Sequence, residues 1–259
     1  MASIEKDSNI SKGIKEERWR YPRFFGESGE GRAIITGEDA KHISTVLRMR
    51  AGELAVLCDN NETDYLCEIV SANKDSVELK VLDSRHNDAE PDVRITLFQC
   101  LPKSDKMDFI VQKAVELGAF KIVPVLSKRC VSRPDSKTAQ KKIQRWQKIA
   151  EEAAKQCGRG HIPEIGELTE FKTAVKASVK TETAILLYEC GGERLGSIIA
   201  AGTKNISIFV GSEGGFEEEE AEFAAECGVR LGTLGARILR CETAPLAALS
   251  ILMNLTGNI

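Results

Sequence analysis

Residues 206–223 read ISIFVGSEGGFEEEEAEF, and the fold class turns on this stretch. ISIFV is an apolar run of strand length. Gly211, Ser212, Glu213, Gly214 and Gly215 follow, and an acid-rich segment of helical composition begins at once. A strand that feeds straight into a helix belongs to a parallel sheet covered by helices on both faces. Glycines at such a turn let the backbone approach a ligand closely, and ligands in α/β sheets sit beyond the carboxyl ends of the strands. The acids 217–220 suit the positive end of the helix dipole. They would repel a phosphate, so the loop suits a neutral or cationic ligand better than a nucleotide. Neither G-x-x-x-x-G-K-[ST] nor G-x-G-x-x-G is present. Taken alone, the same loop is equally a tight turn without function.

Working outward, the alternation of strands and helices extends in both directions. Upstream, VRITLFQCL (93–101) and KIVPVL (121–126) are apolar strands. Between them, Met107, Ile110, Val111, Ala114 and Gly118 share one helical face. A long helix is predicted over 138–157, with Trp146, Ala150, Ala153 and Cys157 on one stripe, followed by a strand at 183–189 and a short helix at 195–201. Downstream, LGTLGARILRCETAPLAALSILMNL (231–255) runs from a glycine-containing loop into a closing helix from 243. Glu242 or Thr243 could cap that helix, with Pro245 in its first turn.

The first third of the chain is different. ELAVLC, DYLCEIV and SVELKVL are short β-rich runs separated by the turn signals DNNE and ANKD. GEDAKHISTVLRMRAG before them predicts a short helix ended by Gly52. The polar, proline-containing SRHNDAEPD (84–92) marks a domain boundary. Residues 1–17 are polar, without the apolar core of a secretory signal, and are expected to form a loosely attached tail. The expected domains are therefore 18–87, mostly β with one helix, and 92–259, α/β.

Composition narrows the class. The 259 residues are 42% hydrophobic and 29% charged, ordinary globular usage. No apolar run reaches the roughly 20 residues of a membrane span. Eight cysteines without a C-x-x-C pair predict buried thiols in a reducing, cytoplasmic setting. Three histidines without ligand spacing leave no metal site. The net charge of −3 lacks a basic footprint, but the local distribution supplies one. Residues 121–148 hold nine Lys/Arg against one acid, and residues 12–23 hold five against two. Arg18, Arg20, Arg23, Lys128 and Arg133 are the candidates to meet a phosphate backbone; a solvated charged face would read the same way. In RWQKIAEEAAKQCGRGHIPEI (145–165), Arg159 at a helix end either meets a substrate or answers the helix dipole.

Seven segments in order carry a resemblance. They are RYPRFF (20–25), HISTVLRMRAGE (42–53), LPKSDKMDFIVQKAVELG (101–118), IVPVLSKRCVSR (122–133), RWQKIAEEAAKQCGR (145–159), GSEGGFEEEE (211–220) and LGARILRCETA (234–244). With them the chain resembles the 16S ribosomal RNA (uracil-N3) methyltransferases of the SPOUT superfamily from about Arg18 to its end. The resemblance implies a PUA-like RNA-binding β-barrel followed by an α/β methyltransferase domain with a deep trefoil knot. It implies a homodimer acting on 16S rRNA, in an assembled or assembling small subunit, and no membrane partner. It implies S-adenosylmethionine held by three loops: Leu187, Tyr188 and Glu189; Gly211, Ser212, Glu213, Gly214 and Gly215; and Leu234, Gly235, Ile238, Leu239 and Arg240. Ser212 stands where the family usually has proline, and Ala236 and Cys241 replace a usual proline and threonine; all are small enough to keep the backbone path.

The reaction requires alignment of nitrogen, methyl and sulfur, and a positive group near O2 or O4 of the uracil to stabilise the anion formed at N3. Arg159 and Arg240 are the first candidates for that group and Arg129 the third; Glu213 and Glu242 could organise donors or accept the proton. Three other readings stand beside this one: a methyltransferase of the same fold acting on another rRNA or tRNA nucleotide, a non-catalytic RNA-binding module, and a Rossmann-type oxidoreductase. The missing G-x-G-x-x-G weighs against the last.

Overall fold

The computed structural model describes residues 19–259. The tail expected over 1–17, and Arg18, lie outside the described residues. The chain divides into two compact units. The first runs to Glu90 and takes in Gly158–His161; the second comprises Pro91–Cys157 and Ile162–Ile259.

The first unit is a six-stranded sheet. Its strands are β1 (Arg23–Phe25), β2 (Ser28–Gly29), β3 (Arg32–Thr36), β4 (Leu54–Cys58), β5 (Thr63–Ala72) and β6 (Ser76–His86), ordered β1-β4-β5-β6-β3-β2. β1 runs parallel to β4, and the other pairs are antiparallel. Period-two alternation explains the sidedness: in β3, Ala33 and Ile35 are buried while Arg32, Ile34 and Thr36 face out. The core adds Phe24, Ala55, Leu57, Cys67, Ile69, Val77 and Leu79. β6 extends three residues into the stretch read as a boundary. The helix predicted up to Gly52 is shorter than its pattern suggests. α1 (Gly37–Lys41) passes into a wide turn over His42–Val46, in which Leu47 N–H reaches back five residues to His42 O at 2.9 Å. Arg48 then takes φ +55°, which ends the helical path.

A buried polar network ties Gly158–His161 into this unit. Asp64, 0% exposed, accepts from Arg23 Nη1 at 3.0 Å and Asn87 Nδ2 at 3.1 Å. The same Asn87 amide donates to Gly158 O at 3.0 Å, and Arg23 Nη2 donates to Arg159 O at 3.0 Å. Carboxylate, amide and guanidinium thus pair with one another where water is excluded, and of the Arg23 guanidinium nitrogens only Nε is left without a partner among the described residues.

The second unit is an all-parallel sheet flanked by helices. Its strands are β7 (Arg94–Cys100), β8 (Lys121–Leu126), β9 (Glu164–Ile165), β10 (Thr169–Glu170), β11 (Thr183–Leu187), β12 (Glu193–Arg194), β13 (Asn205–Val210) and β14 (Arg230–Thr233). The order is β10-β8-β7-β13-β11-β14-β12, with β9 also paired to β8, and every pair is parallel. The helices are α2 (Lys106–Glu116), α3 (Ser136–Cys157), α4 (Phe171–Ser178), α5 (Leu195–Ile198), α6 (Glu218–Glu226) and α7 (Thr243–Leu255). α2 buries Met107, Ile110, Val111 and Ala114, the face its spacing predicts. It ends at Gly118, φ +86°, where a side-chain carbon would stand 2.7 Å from Pro91 and 2.8 Å from Met253. α3 is anchored by Trp146, whose Nε1 donates to Asp108 Oδ1 at 3.0 Å. At the sheet's centre the rings of Phe98 and Phe209 stack with centroids 4.5 Å apart. α4 escaped the sequence reading, although Phe171, Ala174, Val175 and Ser178 form a helical stripe in FKTAVKAS.

All eight cysteines are free. No helix of the described residues is long and apolar enough to cross a membrane.

Candidate functional site

Three strands that neighbour one another in the sheet, β13, β11 and β14, all end on the same side because the sheet is parallel. Their carboxyl ends open into the loops at 188–189, 211–215 and 234–241. Adjacent strands lie about 4.8 Å apart, so these loops converge. They enclose a cavity of about 500 Å³ whose lining includes every residue assigned above to the three loops. Arg237 and Cys241 line it as well. That volume falls within the usual range of small-molecule sites, roughly 300–1,000 Å³.

Each loop is held by hydrogen bonds that the local sequence makes possible. Gly215 N–H donates to Ser212 O at 3.0 Å, closing a tight turn, and Tyr188 N–H donates to Gly232 O at 2.9 Å. Gly215 has φ +67°, and a side-chain carbon there would stand 2.3 Å from Glu189 Oε1. Only glycine permits both that conformation and that approach. Gln99, 0% exposed on β7, donates through Nε2 to Gly211 O at 3.3 Å and fixes where the loop leaves the strand. The acids after the loop act locally. Glu220 Oε2 accepts from Glu217 N–H at 3.0 Å, and its Oε1 accepts from Lys128 N–H at 2.8 Å, so part of the acidic run caps its own helix.

Two cations join the loops to their surroundings. Arg129 donates through Nη1 to Gly214 O at 2.7 Å and through Nε to Glu217 Oε1 at 2.9 Å, and it lies 3.8 Å from Glu189 Oε1. Lys106 Nζ stands 3.0 Å from Glu213 Oε1 and 3.2 Å from Glu242 Oε2. Lys106 was not singled out from sequence, since a lysine in the first turn of an amphipathic helix carries no signal of such partners. Glu242 makes no side-chain cap bond; Thr243 and Ala244 N–H donate to Arg240 O instead, each at 2.9 Å.

These contacts set the protonation states. Burial alone would raise the Glu213 carboxyl. The Lys106 ammonium and the N–H of Lys103, 3.1 Å away, outweigh it and hold Glu213 below the usual range. Glu242 is also lowered, first by the Cys241 thiol and then, against burial, by Lys106. Burial, with the Glu242 and Glu213 carboxylates, pushes the Cys241 thiol up to about 12, so the neutral thiol donates to Glu242 Oε2 at 3.1 Å. Cys241 is therefore no nucleophile.

The remaining predicted residues are distributed differently. Arg240 lines the cavity and closes no ion pair among the described residues. Arg159, a first candidate for the reaction centre, lies in the first unit. It is 3% exposed, and its Nη2 donates to Glu90 Oε2 at 2.7 Å. Arg23, expected to face RNA, is likewise committed to Asp64. Arg20 is exposed. Lys128 pairs with Glu219 and Arg133 Nη2 donates to Ser127 O at 2.7 Å, and both side chains lie at the protein surface. Pairing therefore answers part of the basic run in 121–148: Lys121 meets Glu164 at 2.7 Å and Arg129 meets Glu217.

Comparison with known proteins gives this geometry its context. Residues 89–253 match the family model of an RNA methyltransferase domain, and residues 24–82 match that of an RNA methyltransferase PUA domain. The ribosomal RNA small subunit methyltransferase E of Bacillus subtilis is 36% identical over 224 residues, 83% of this chain and 87% of that protein. The protein of the same name from Mycobacterium tuberculosis is 30% identical over 233 residues, 87% of each chain. The solved structure of ribosomal RNA small subunit methyltransferase E from Neisseria gonorrhoeae, bound to S-adenosyl methionine, superposes with a TM-score of 0.84 at 33% identity, covering 92% of this chain and 98% of that one. With both family models matched and such identity across most of its length, the chain belongs to the RNA methyltransferase family of the ribosomal RNA small subunit methyltransferase E proteins.

Proposed function

We propose that this protein transfers a methyl group from S-adenosylmethionine to N3 of a uridine in 16S ribosomal RNA. The observation that carries the reading is the convergence of three loops from adjacent parallel strands on one cavity, in a chain of this family.

The cavity's chemistry fits the cofactor. Its wall is backbone and glycine at 211, 214, 215 and 235, with apolar surface from Leu187, Leu234, Ile238 and Leu239. Backbone N–H and C=O groups can read adenine edges without charge. The carboxylates of Glu189 and Glu213 suit a cation and disfavour a phosphate. When bound, S-adenosylmethionine supplies an electrophilic methyl on a sulfonium centre. Leu187, Tyr188, Glu189, Gly211, Ser212, Glu213, Gly214, Gly215, Leu234, Gly235, Ile238, Leu239 and Arg240 are the residues that would hold it.

The chain's own work is to orient the uracil and favour loss of its N3 proton. Arg240 is the leading candidate to stabilise the anion, because it borders the cavity without an ion pair among the described residues. Arg129 is second, its guanidinium being engaged by Gly214 and Glu217. Arg159, bonded to Glu90 away from solvent, is better suited to supporting the fold. Glu213, held ionised by Lys106, and Glu242, held ionised first by the Cys241 thiol and then by Lys106, are weak bases suited to organising donors. Arg20, Lys128 and Arg133 would meet the RNA backbone, the residues from 18 to 87 serving as its docking domain. A homodimer with a trefoil crossing among the late loops, acting in the cytoplasm on an assembled or assembling small subunit, belongs to the same reading.

The test is to incubate the purified protein with labelled S-adenosylmethionine and small ribosomal subunits from a strain lacking the gene, and to map the label by mass spectrometry. Label on a single 16S uridine, at N3, is expected. Label on another nucleoside, or on tRNA in preference, would overturn the substrate assignment.

A further inference from the structure

Lys106 stands at the start of α2, whose next turn is locked into the core by Met107, 2% exposed, and Ile110, 0% exposed. Its ammonium is therefore presented from a rigid base. It meets two acids from different parts of the chain: Glu213 Oε1 at 3.0 Å, in the loop after β13, and Glu242 Oε2 at 3.2 Å, at the head of α7. Cys241 Sγ lies 3.7 Å away. Glu213 and Cys241 both belong to the cavity wall. The backbone N–H of Lys103 bonds Glu213 from the same segment at 3.1 Å. Two walls of the cavity are thus pinned to one helix start through a single cation.

An isolated surface ion pair is worth little. Here one ammonium, about a third exposed, is shared between two carboxylates that are less than a third exposed, and both acids are shifted toward the charged state. Without Lys106 the carboxylates would stand close to each other without a counter-charge, and like charges would push the two loops apart. We infer that Lys106 is a positioning residue for the methyl-donor pocket, fixing the separation of the 211–215 and 234–241 loops through Glu213 and Glu242. This rests on the S-adenosylmethionine reading of the cavity.

The test compares wild type with Lys106→Met and Lys106→Arg. S-adenosylmethionine affinity is measured by calorimetry, and loop order by amide hydrogen exchange without ligand. Lys106→Met is expected to weaken binding about tenfold, the scale of losing charge-assisted hydrogen bonds. Exchange should quicken at 211–215 and 238–244 while β7 and β13 stay protected, and Lys106→Arg, which keeps the charge, should recover most of the affinity. Glu242→Gln should weaken binding less, and its loss should not add to that of Lys106→Met, because both act through one contact. Wild-type affinity in Lys106→Met, or faster exchange spread evenly over the whole sheet, would overturn the inference. If Lys106→Met fails to fold, Lys106→Arg and Glu242→Gln decide: a loss of about tenfold in affinity in Lys106→Arg, or unchanged affinity in Glu242→Gln, would also overturn it. Failure of wild type itself to bind S-adenosylmethionine would strike the function proposed above rather than the role of Lys106.

Discussion

A side-chain carbon at Gly215 would stand 2.3 Å from Oε1 of Glu189. Two of the three cavity loops therefore meet across a glycine that also holds φ +67°. Gly215→Ala should lower the unfolding free energy by about 1–2 kcal/mol, the cost of placing an L-residue in the left-handed region. It should also push the Glu189 carboxylate aside and weaken S-adenosylmethionine binding. Urea denaturation and calorimetry check the two effects separately; wild-type affinity in the variant would show that the contact does not shape the pocket.

Arg159 and Glu90 form an ion pair with side chains 4% and 9% exposed. Removing one partner of such a pair leaves a buried charge and costs about 3–5 kcal/mol. Arg159→Ala is expected to show that loss in urea denaturation, while the folded fraction binds S-adenosylmethionine normally. A variant of wild-type stability that had lost methyl transfer would return Arg159 to the reaction centre.

Arg240→Ala should behave in the opposite way. Loss of a group that stabilises a developing anion costs about 10²–10³ in rate, whereas an exposed substitution changes stability by no more than about 0.5 kcal/mol. Single-turnover methyl transfer at saturating S-adenosylmethionine reads the rate directly. Equal turnover would remove Arg240 from the mechanism.

The Lys106 bridge predicts a pH window. Glu213 and Glu242 are lowered in the folded state. Their contribution to stability is therefore complete above the unfolded carboxylate value, roughly pH 4.3, and is lost as pH falls through the lower folded values. The stability difference between wild type and Lys106→Met should be constant from about pH 5.5 to about pH 9.5 and shrink below about pH 4 as the acids protonate. It should shrink again at higher pH as the lysine, whose folded value is raised, loses its proton. A difference that instead grew on acidification would show that the acids are not held ionised by Lys106.

Much of this architecture was legible in the sequence, because it depended on local pattern. ISIFVG followed by SEGG, the stripe of Met107, Ile110, Val111 and Ala114, and the apolar helix from 243 declare themselves within a few residues. What was not legible depends on partners distant along the chain. Arg159 sits at a helix end like a substrate contact, but its partner Glu90 lies 69 residues earlier. Arg23 looks like part of a basic arm until Asp64, 41 residues on, captures it. Lys106 draws its meaning from Glu213 and Glu242, which only the crossovers of a parallel sheet bring near. α4 was missed for a plainer reason: FKTAVKAS is short, with a stripe built partly from alanine and serine.

Titration of S-adenosylmethionine into the purified protein, followed residue by residue by hydrogen exchange, tests the pocket most directly. Saturable binding should protect the segments around 188, 211–215 and 234–241 together and leave the strands of the first unit unchanged. Protection confined to one of those segments, or centred on the smaller cavity of about 280 Å³ beside Phe171 and Phe223, would contradict a single methyl-donor pocket built from three neighbouring loops.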